Sequence, residues 1–140
     1  MIFVMFDTIA VYGGGGIGKR HVRLLRGKFP SSKIILVSQH SKPSEVLHTD
    51  IVLNNSDDLG ELRPDFTFIA NPASLHIDTA LQVSEYCSSI FIEKPLSNSL
   101  HGIKVLEKNG FSLEGTRINH LYYGGKYYNK INYGLLLSKL

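Results

Sequence analysis

Thr8-Ile9-Ala10-Val11-Tyr12-Gly13-Gly14-Gly15-Gly16-Ile17-Gly18-Lys19 is the stretch that decides how this chain folds. Its first five residues form a short apolar, partly β-branched run that suits a buried strand. Four glycines end the run. From about residue 17 to residue 28, Ile17, Leu24 and Leu25 fall at helical intervals, and Phe29-Pro30-Ser31 stops the pattern. Strand, glycine turn and helix together read as the opening of a βαβ unit.

The same alternation continues to about residue 100. Residues 33–38 and 65–70 are further apolar runs, 50–53 is a shorter one, and 89–93 is a fifth. Between them, residues 57–62 suggest a short helix. Leu75, Thr79, Ala80, Val83 and Tyr86 mark one face of a helix over about 74–86. Nearly continuous apolar strands separated by helices indicate a parallel sheet covered on both faces, hence an α/β, doubly wound, mostly parallel Rossmann-like sheet. The pattern then changes. Leu100, Ile103 and Leu106 predict a helix stopped at Asn109-Gly110. Two extended segments come next, about 111–122 and 126–137, around Gly124-Gly125, a hairpin signal. The expectation is one domain over 1–140. Residues 1–100 form its Rossmann-like part, and the C-terminal helix and β-hairpin of 101–140 extend and complete the sheet.

Composition narrows the function classes. The chain has 140 residues, 43% of them hydrophobic, enough for one core. A net charge of +3 does not call for nucleic acid. Residues 101–140 carry 6 basic and 2 acidic side chains and five of the seven tyrosines. The lysines and tyrosines there read as ordinary edge-strand residues rather than a stacking platform. One cysteine, Cys87, excludes a disulfide framework, and the six histidines show no metal-ligand spacing. No apolar run approaches the ~20 residues of a membrane span. The apolar start, Met1 to Phe6, has no basic flank or cleavage site, so no signal peptide is read and a cytoplasmic location is expected. An exposed strand edge, or apolar surface built for a missing domain, would be the route to a homodimer.

The glycine loop carries chemistry. Gly13, Gly15 and Gly18 satisfy G-x-G-x-x-G directly after a strand and at the start of a helix. Gly13 permits the turn, Gly15 leaves room for a pyrophosphate, and Gly18 lets helix and strand approach. Gly16 and Ile17 complete the loop at the helix N-terminus, where free N–H groups and a partial positive charge favour phosphates. A dinucleotide cofactor is the implied partner. At the end of the second strand, NAD sites usually place an acid. Here that position is Ser38, followed by Gln39, His40, Ser41 and Lys42. Ser38, Ser41 and Lys42 are candidate contacts to a 2′-phosphate, so the cofactor is NADP or NAD.

Gly13 to His21, Ala70-Asn71-Pro72-Ala73-Ser74-Leu75-His76 and Glu93-Lys94-Pro95 together resemble three motifs of the glucose–fructose oxidoreductase and inositol dehydrogenase (Gfo/Idh/MocA) family, in family order. The resemblance covers about residues 7–100. It implies that Lys94 is catalytic, assisting proton removal from a substrate hydroxyl beside the nicotinamide. It implies that Asn71, Pro72 and His76 line the nicotinamide side, and that Glu93, with Pro95, holds the strand end. His21 is read as structural. The family continues into a substrate domain of some two hundred residues, whereas about 40 remain here. Dehydrogenase turnover by this chain alone is therefore not expected.

The tail resembles another family. Val105 to Phe111, Leu113-Glu114-Gly115, Tyr127-Tyr128 and Tyr133 to Leu136 are similar to the last helix and hairpin of GNAT-superfamily N-acetyltransferases, over about residues 103–140. The junction falls near 98–102, and the chain looks like a fusion of two truncated genes. Four functions are implied: an NAD(P)-binding module, an oxidoreductase completed by a partner or second copy and acting on a sugar or nucleotide sugar, a folded remnant without ligand, or an acetyl-CoA-dependent protein.

Overall fold

The computed structural model describes residues 6–42, 47–97, 99–108, 110 and 112–134. The chain divides into two compact units, Met1–Asn98 and Ser99–Leu140.

In the first unit, β1 (Thr8–Tyr12), β2 (Lys33–Val37), β3 (Ile51–Leu53), β4 (Phe66–Ile69) and β5 (Ser89–Ile92) form a sheet in the order β3-β2-β1-β4-β5. Every pairing is parallel. Helices α1 (Gly16–Lys28), α2 (Leu59–Leu62) and α3 (His76–Ser84) connect them, with a 3-10 turn at Ala73–Leu75 leading into α3. The expected doubly wound arrangement is present.

The central strands β1 and β2 are nearly all apolar because both of their faces are covered. Successive side chains on a strand point to opposite faces. Ile9 and Val11 of β1, with Ile34 and Leu36 of β2, pack against Val22 and Leu25 of α1. Their neighbours Ala10, Tyr12, Ile35 and Val37 pack against Leu59 of α2 and Val83 of α3. A strand with one wet face would have alternated apolar and polar residues instead.

The amino ends of the strands are pinned by side chains. Asp65 accepts hydrogen bonds from the N–H groups of Asp7 and Thr8. Asp50 accepts from the N–H of Ile34 and pairs with Arg26, which also donates to the carbonyls of Pro30 and Ser32. With that end occupied by structural bonds, the carboxyl ends are left for a site.

In the second unit, α4 (Leu100–Lys108) precedes β6 (Ser112–Tyr123) and β7 (Lys126–Gly134). These two strands pair antiparallel, in a two-stranded sheet of their own. Gly124 and Gly125, at φ +58° and +78°, supply the two left-handed positions that a tight hairpin turn needs. The register shifts between Arg117 and Leu121, where Asn119 adopts φ +51° and its N–H donates to Oδ1 of Asn129. Asparagine tolerates that conformation better than most residues. Asn109, Phe111 and residues 135–137, which belong to the helix stop and extended segments read from sequence, lie outside the described residues. Among the described residues, no helix is long and apolar enough to cross a membrane.

Candidate functional site

The parallel register brings five strand ends to one edge. Tyr12 pairs with both Val37 and Ile69, Ile69 with Ile92, and Val37 with Leu53. Next in the chain after these strand ends come Gly13, Ser38, Ala70, Glu93 and Asn54. The sheet order reverses direction between β1 and β4, which is where a crevice opens in a doubly wound sheet.

Gly13 adopts φ +106°, and its N–H donates to the carbonyl of Val37 at 2.9 Å. A Cβ there would stand 2.6 Å from the carbonyl oxygen of Ala70. At Gly18, a Cβ would collide with the carbonyl of Gly13. At Gly15 and Gly16 it would meet nothing within 4 Å. Two glycines thus serve close packing and two face open space. Gly15 caps α1 in extended conformation without a side-chain cap, and the first turn of α1 holds no acidic residue. Its terminal N–H groups and partial positive charge are not neutralised from within the helix.

A cleft of about 810 Å³ opens over this loop. Of the residues the sequence motifs single out, Gly13, Gly15, Gly16, Ile17, Ser38, Asn71 and Pro72 line it. Ser38 and Ser41 bond to each other through their hydroxyls at 2.9 Å, under Gly14. Asn71 donates through Nδ2 to Oγ1 of Thr79 at 2.8 Å, and its Oδ1 is buried without a partner among the described residues.

Other candidates stand elsewhere. Gly18 is buried behind the loop. Lys42 is exposed and outside the cleft lining. Expected on the cleft wall, His76 is instead 2% exposed beneath it, with both ring nitrogens against backbone carbonyls. Glu93 is also outside the lining. Its Oε1 accepts from Nε2 of His21 at 2.7 Å and its Oε2 from the N–H of Lys94 at 3.2 Å. The His21 bond, with a smaller effect from that N–H, holds the Glu93 carboxyl below its ordinary range. The His21 ring packs on Phe68 and Phe91, so its reading as structural matches its contacts. Lys94 is exposed at the end of β5, joined to Pro95 by a cis peptide bond.

The sequence motifs miss part of the lining: Tyr12, Asn54, Asn55, Ser56, Thr79 and Gln82. Gln82 donates to Oγ of Ser56 at 2.7 Å, tying α3 to the loop after β3. One signal for Asn54 to Ser56 is their place directly after a parallel strand, at its carboxyl end.

Tyr12 carries a testable pH effect. Its hydroxyl lies 3.2 Å from that of Tyr86. Burial first, and then the Tyr86 hydroxyl, push the Tyr12 phenol above its ordinary value. A raised folded value means stability is fully present below the unfolded value of about 10 and is lost as pH rises through the folded one. Tyr12→Phe is expected to flatten stability above about pH 10. Urea midpoints across the alkaline range measure it, and an unchanged slope would contradict the assignment.

The family described as oxidoreductase, NAD-binding Rossmann fold (Gfo/Idh/MocA) matches residues 8–108. The match runs through α4, past the junction expected near 98–102. No curated protein matches the chain. Among solved structures, myo-inositol 2-dehydrogenase from Lactobacillus plantarum is 22% identical with a TM-score of 0.61, over 72% of this chain and 32% of that one. Scyllo-inositol dehydrogenase from Lactobacillus casei, solved with NAD(H) and scyllo-inositol, is 23% identical with a TM-score of 0.59, over 73% and 33%. UDP-N-acetylglucosamine 3-dehydrogenase from Acidithiobacillus ferrooxidans is 18% identical with a TM-score of 0.58, over 76% and 35%. The matched part of this chain spans about a third of the length of each.

Proposed function

The chain belongs to the Gfo/Idh/MocA oxidoreductase family with its NAD-binding Rossmann fold, and on that premise we propose that its first unit binds a nicotinamide dinucleotide in the 810 Å³ cleft. The observation that carries this reading is the glycine loop. Gly13 and Gly18 are packed too tightly for any side chain, while Gly15 and Gly16 leave open space before an uncapped helix N-terminus. A pyrophosphate needs that combination of close backbone approach and free N–H groups. Asn71 of the cleft lining adds a buried acceptor, Oδ1, that has no partner among the described residues.

A bound nicotinamide would accept or donate hydride. Lys94 is the residue we assign to proton handling at the substrate hydroxyl, with Glu93 and Pro95 setting its strand end. The substrate, a sugar or nucleotide sugar in this reading, is positioned by a further domain, a partner or a second copy, because positioning supplies much of the rate. Beyond residue 108 the family match ends. We assign the hairpin of β6 and β7 to an acetyltransferase-type ending fused to the oxidoreductase half, supported by the sequence resemblance and the hairpin geometry.

Thermal unfolding with NADH and with NADPH tests the cofactor reading. At about 100 times its dissociation constant, a ligand adds about 2.7 kcal/mol. No rise in midpoint with either, in a cooperatively melting protein, sinks it. The two cofactors are distinguished at Ser38, which has no carboxylate to repel a 2′-phosphate. Ser38→Asp is expected to weaken NADPH at least about tenfold, the order of one lost charge-assisted contact, and to spare NADH. Equal losses for both would remove Ser38 from the ribose end.

A further inference from the structure

We propose that His76 is a positioning residue, a proton-dependent tie between the two loops that frame the candidate site. Its Nε2 lies 2.8 Å from the carbonyl oxygen of Asn71, and its Nδ1 lies 2.9 Å from the carbonyl oxygen of Pro95. Asn71 belongs to the cleft wall, and Pro95 follows Lys94. The ring is 2% exposed, so water does not stand in for either partner.

A carbonyl oxygen only accepts. Each contact is therefore a hydrogen bond only when the ring nitrogen bears a proton. A neutral imidazole has one N–H, so one of its two contacts would set lone pair against lone pair. An imidazolium donates at both. The protonated ring holds both loops, and the neutral ring holds one and releases the other. The position of Lys94 relative to Asn71 then depends on one proton.

The charged groups on the segments around the ring are Glu93 and Lys94 at the end of β5, Asp78 in the first turn of α3, and His21 against Glu93. Glu93 is held ionised by His21 and the Lys94 N–H. His40 is a further histidine of the cleft lining, and His21, bonded to Glu93 beside Lys94, is the one that needs its own control.

The functional meaning rests on the dinucleotide reading, but the tie does not, and the experiment separates them. Amide hydrogen exchange of residues 70–73 and 93–97 is followed on the full chain from about pH 5.5 to about pH 8, after correction for intrinsic rates. One loop is expected to exchange about fivefold faster at the alkaline end, the ratio one ordinary hydrogen bond supplies. Gln places its amide near the Nε2 position, so His76→Gln keeps the Asn71 bond and loses the Pro95 bond. In that variant, residues 93–97 are expected to exchange at the faster rate at every pH, while His21→Gln keeps the wild-type profile. NADH affinity should fall over the same window in wild type and stay flat in His76→Gln. Exchange independent of pH in wild type, or pH dependence surviving in His76→Gln, overturns the tie. The exchange pattern without any NADH binding leaves the tie standing and defeats the cofactor reading. If His76→Gln does not fold, two-bond 1H–15N spectra of wild type decide: a ring with a single proton at about pH 5.5 overturns the proposal.

Discussion

Gly18→Ala is expected to destabilise the first unit by about 3 kcal/mol, at the upper end of what overpacking costs. Helix propensity gives the opposite sign, since replacing glycine by alanine inside a helix gains up to about 1 kcal/mol. The contact decides. A Cβ at Gly18 runs into the carbonyl of Gly13, and that carbonyl cannot swing aside. Gly13 is itself held at φ +106° by its bond to Val37 and by the backbone of Ala70 against its Cα. Relief must come from moving α1 off β1, which opens the packing of Val22 and Leu25 on Ile9 and Val11. In a unit of about 100 residues, 3 kcal/mol lowers the melting temperature by roughly 12–20 °C. Urea titration measures it as a lower midpoint with the slope unchanged. A variant as stable as wild type would mean that α1 does not lie this close to β1.

The same packing explains which features are legible in the sequence. Residues 8–12 read as a strand and form Thr8–Tyr12 of β1, because an apolar run cut by glycines has one natural reading. The parallel sheet is implied by apolar residues at both parities of β1 and β2, which the two core faces account for. The glycine loop is legible because its spacing encodes two steric demands and one opening. The illegible features are relational. Asn54-Asn55-Ser56 carry only the signal of following a short strand, and the pairing of β3 beside β2 is what makes that place a cleft wall. His76 is placed on the cleft wall by the family resemblance, through its position after Asn71-Pro72. Its burial depends on carbonyls 5 residues before and 19 residues after it, which no periodicity reveals. The charge of Lys42 draws it into the expected site, although the bond between Ser38 and Ser41 closes the loop before that side chain. The hairpin is legible from Gly124-Gly125, whereas its sheet partner is not, because turn residues specify a hairpin and say nothing about what lies at its edge.

Gly15→Ser should separate architecture from function in a single variant. At Gly15 the backbone is extended, at φ −72° and ψ −177°, which serine adopts freely, and a Cβ meets nothing within 4 Å. Serine is also a better N-cap than glycine by a few tenths of a kcal/mol, and α1 has no side-chain cap now. Stability is therefore expected to stay level or rise slightly. Cofactor binding is expected to move the other way, for two reasons that add. The new side chain occupies the space a pyrophosphate needs, and its hydroxyl engages the N–H groups that would hold the phosphate. A loss of at least tenfold in NADH affinity, about 1.4 kcal/mol, is the expected result. Gly18→Ala cannot give this answer, because a variant that melts early also binds poorly. Gly15→Ser keeps the fold and changes only what the loop presents to the cleft. If it is stable and binds NADH as wild type does, the pyrophosphate does not lie over Gly15. The open space there would then serve the turn alone, and the family's glycine pattern would survive in this chain as architecture.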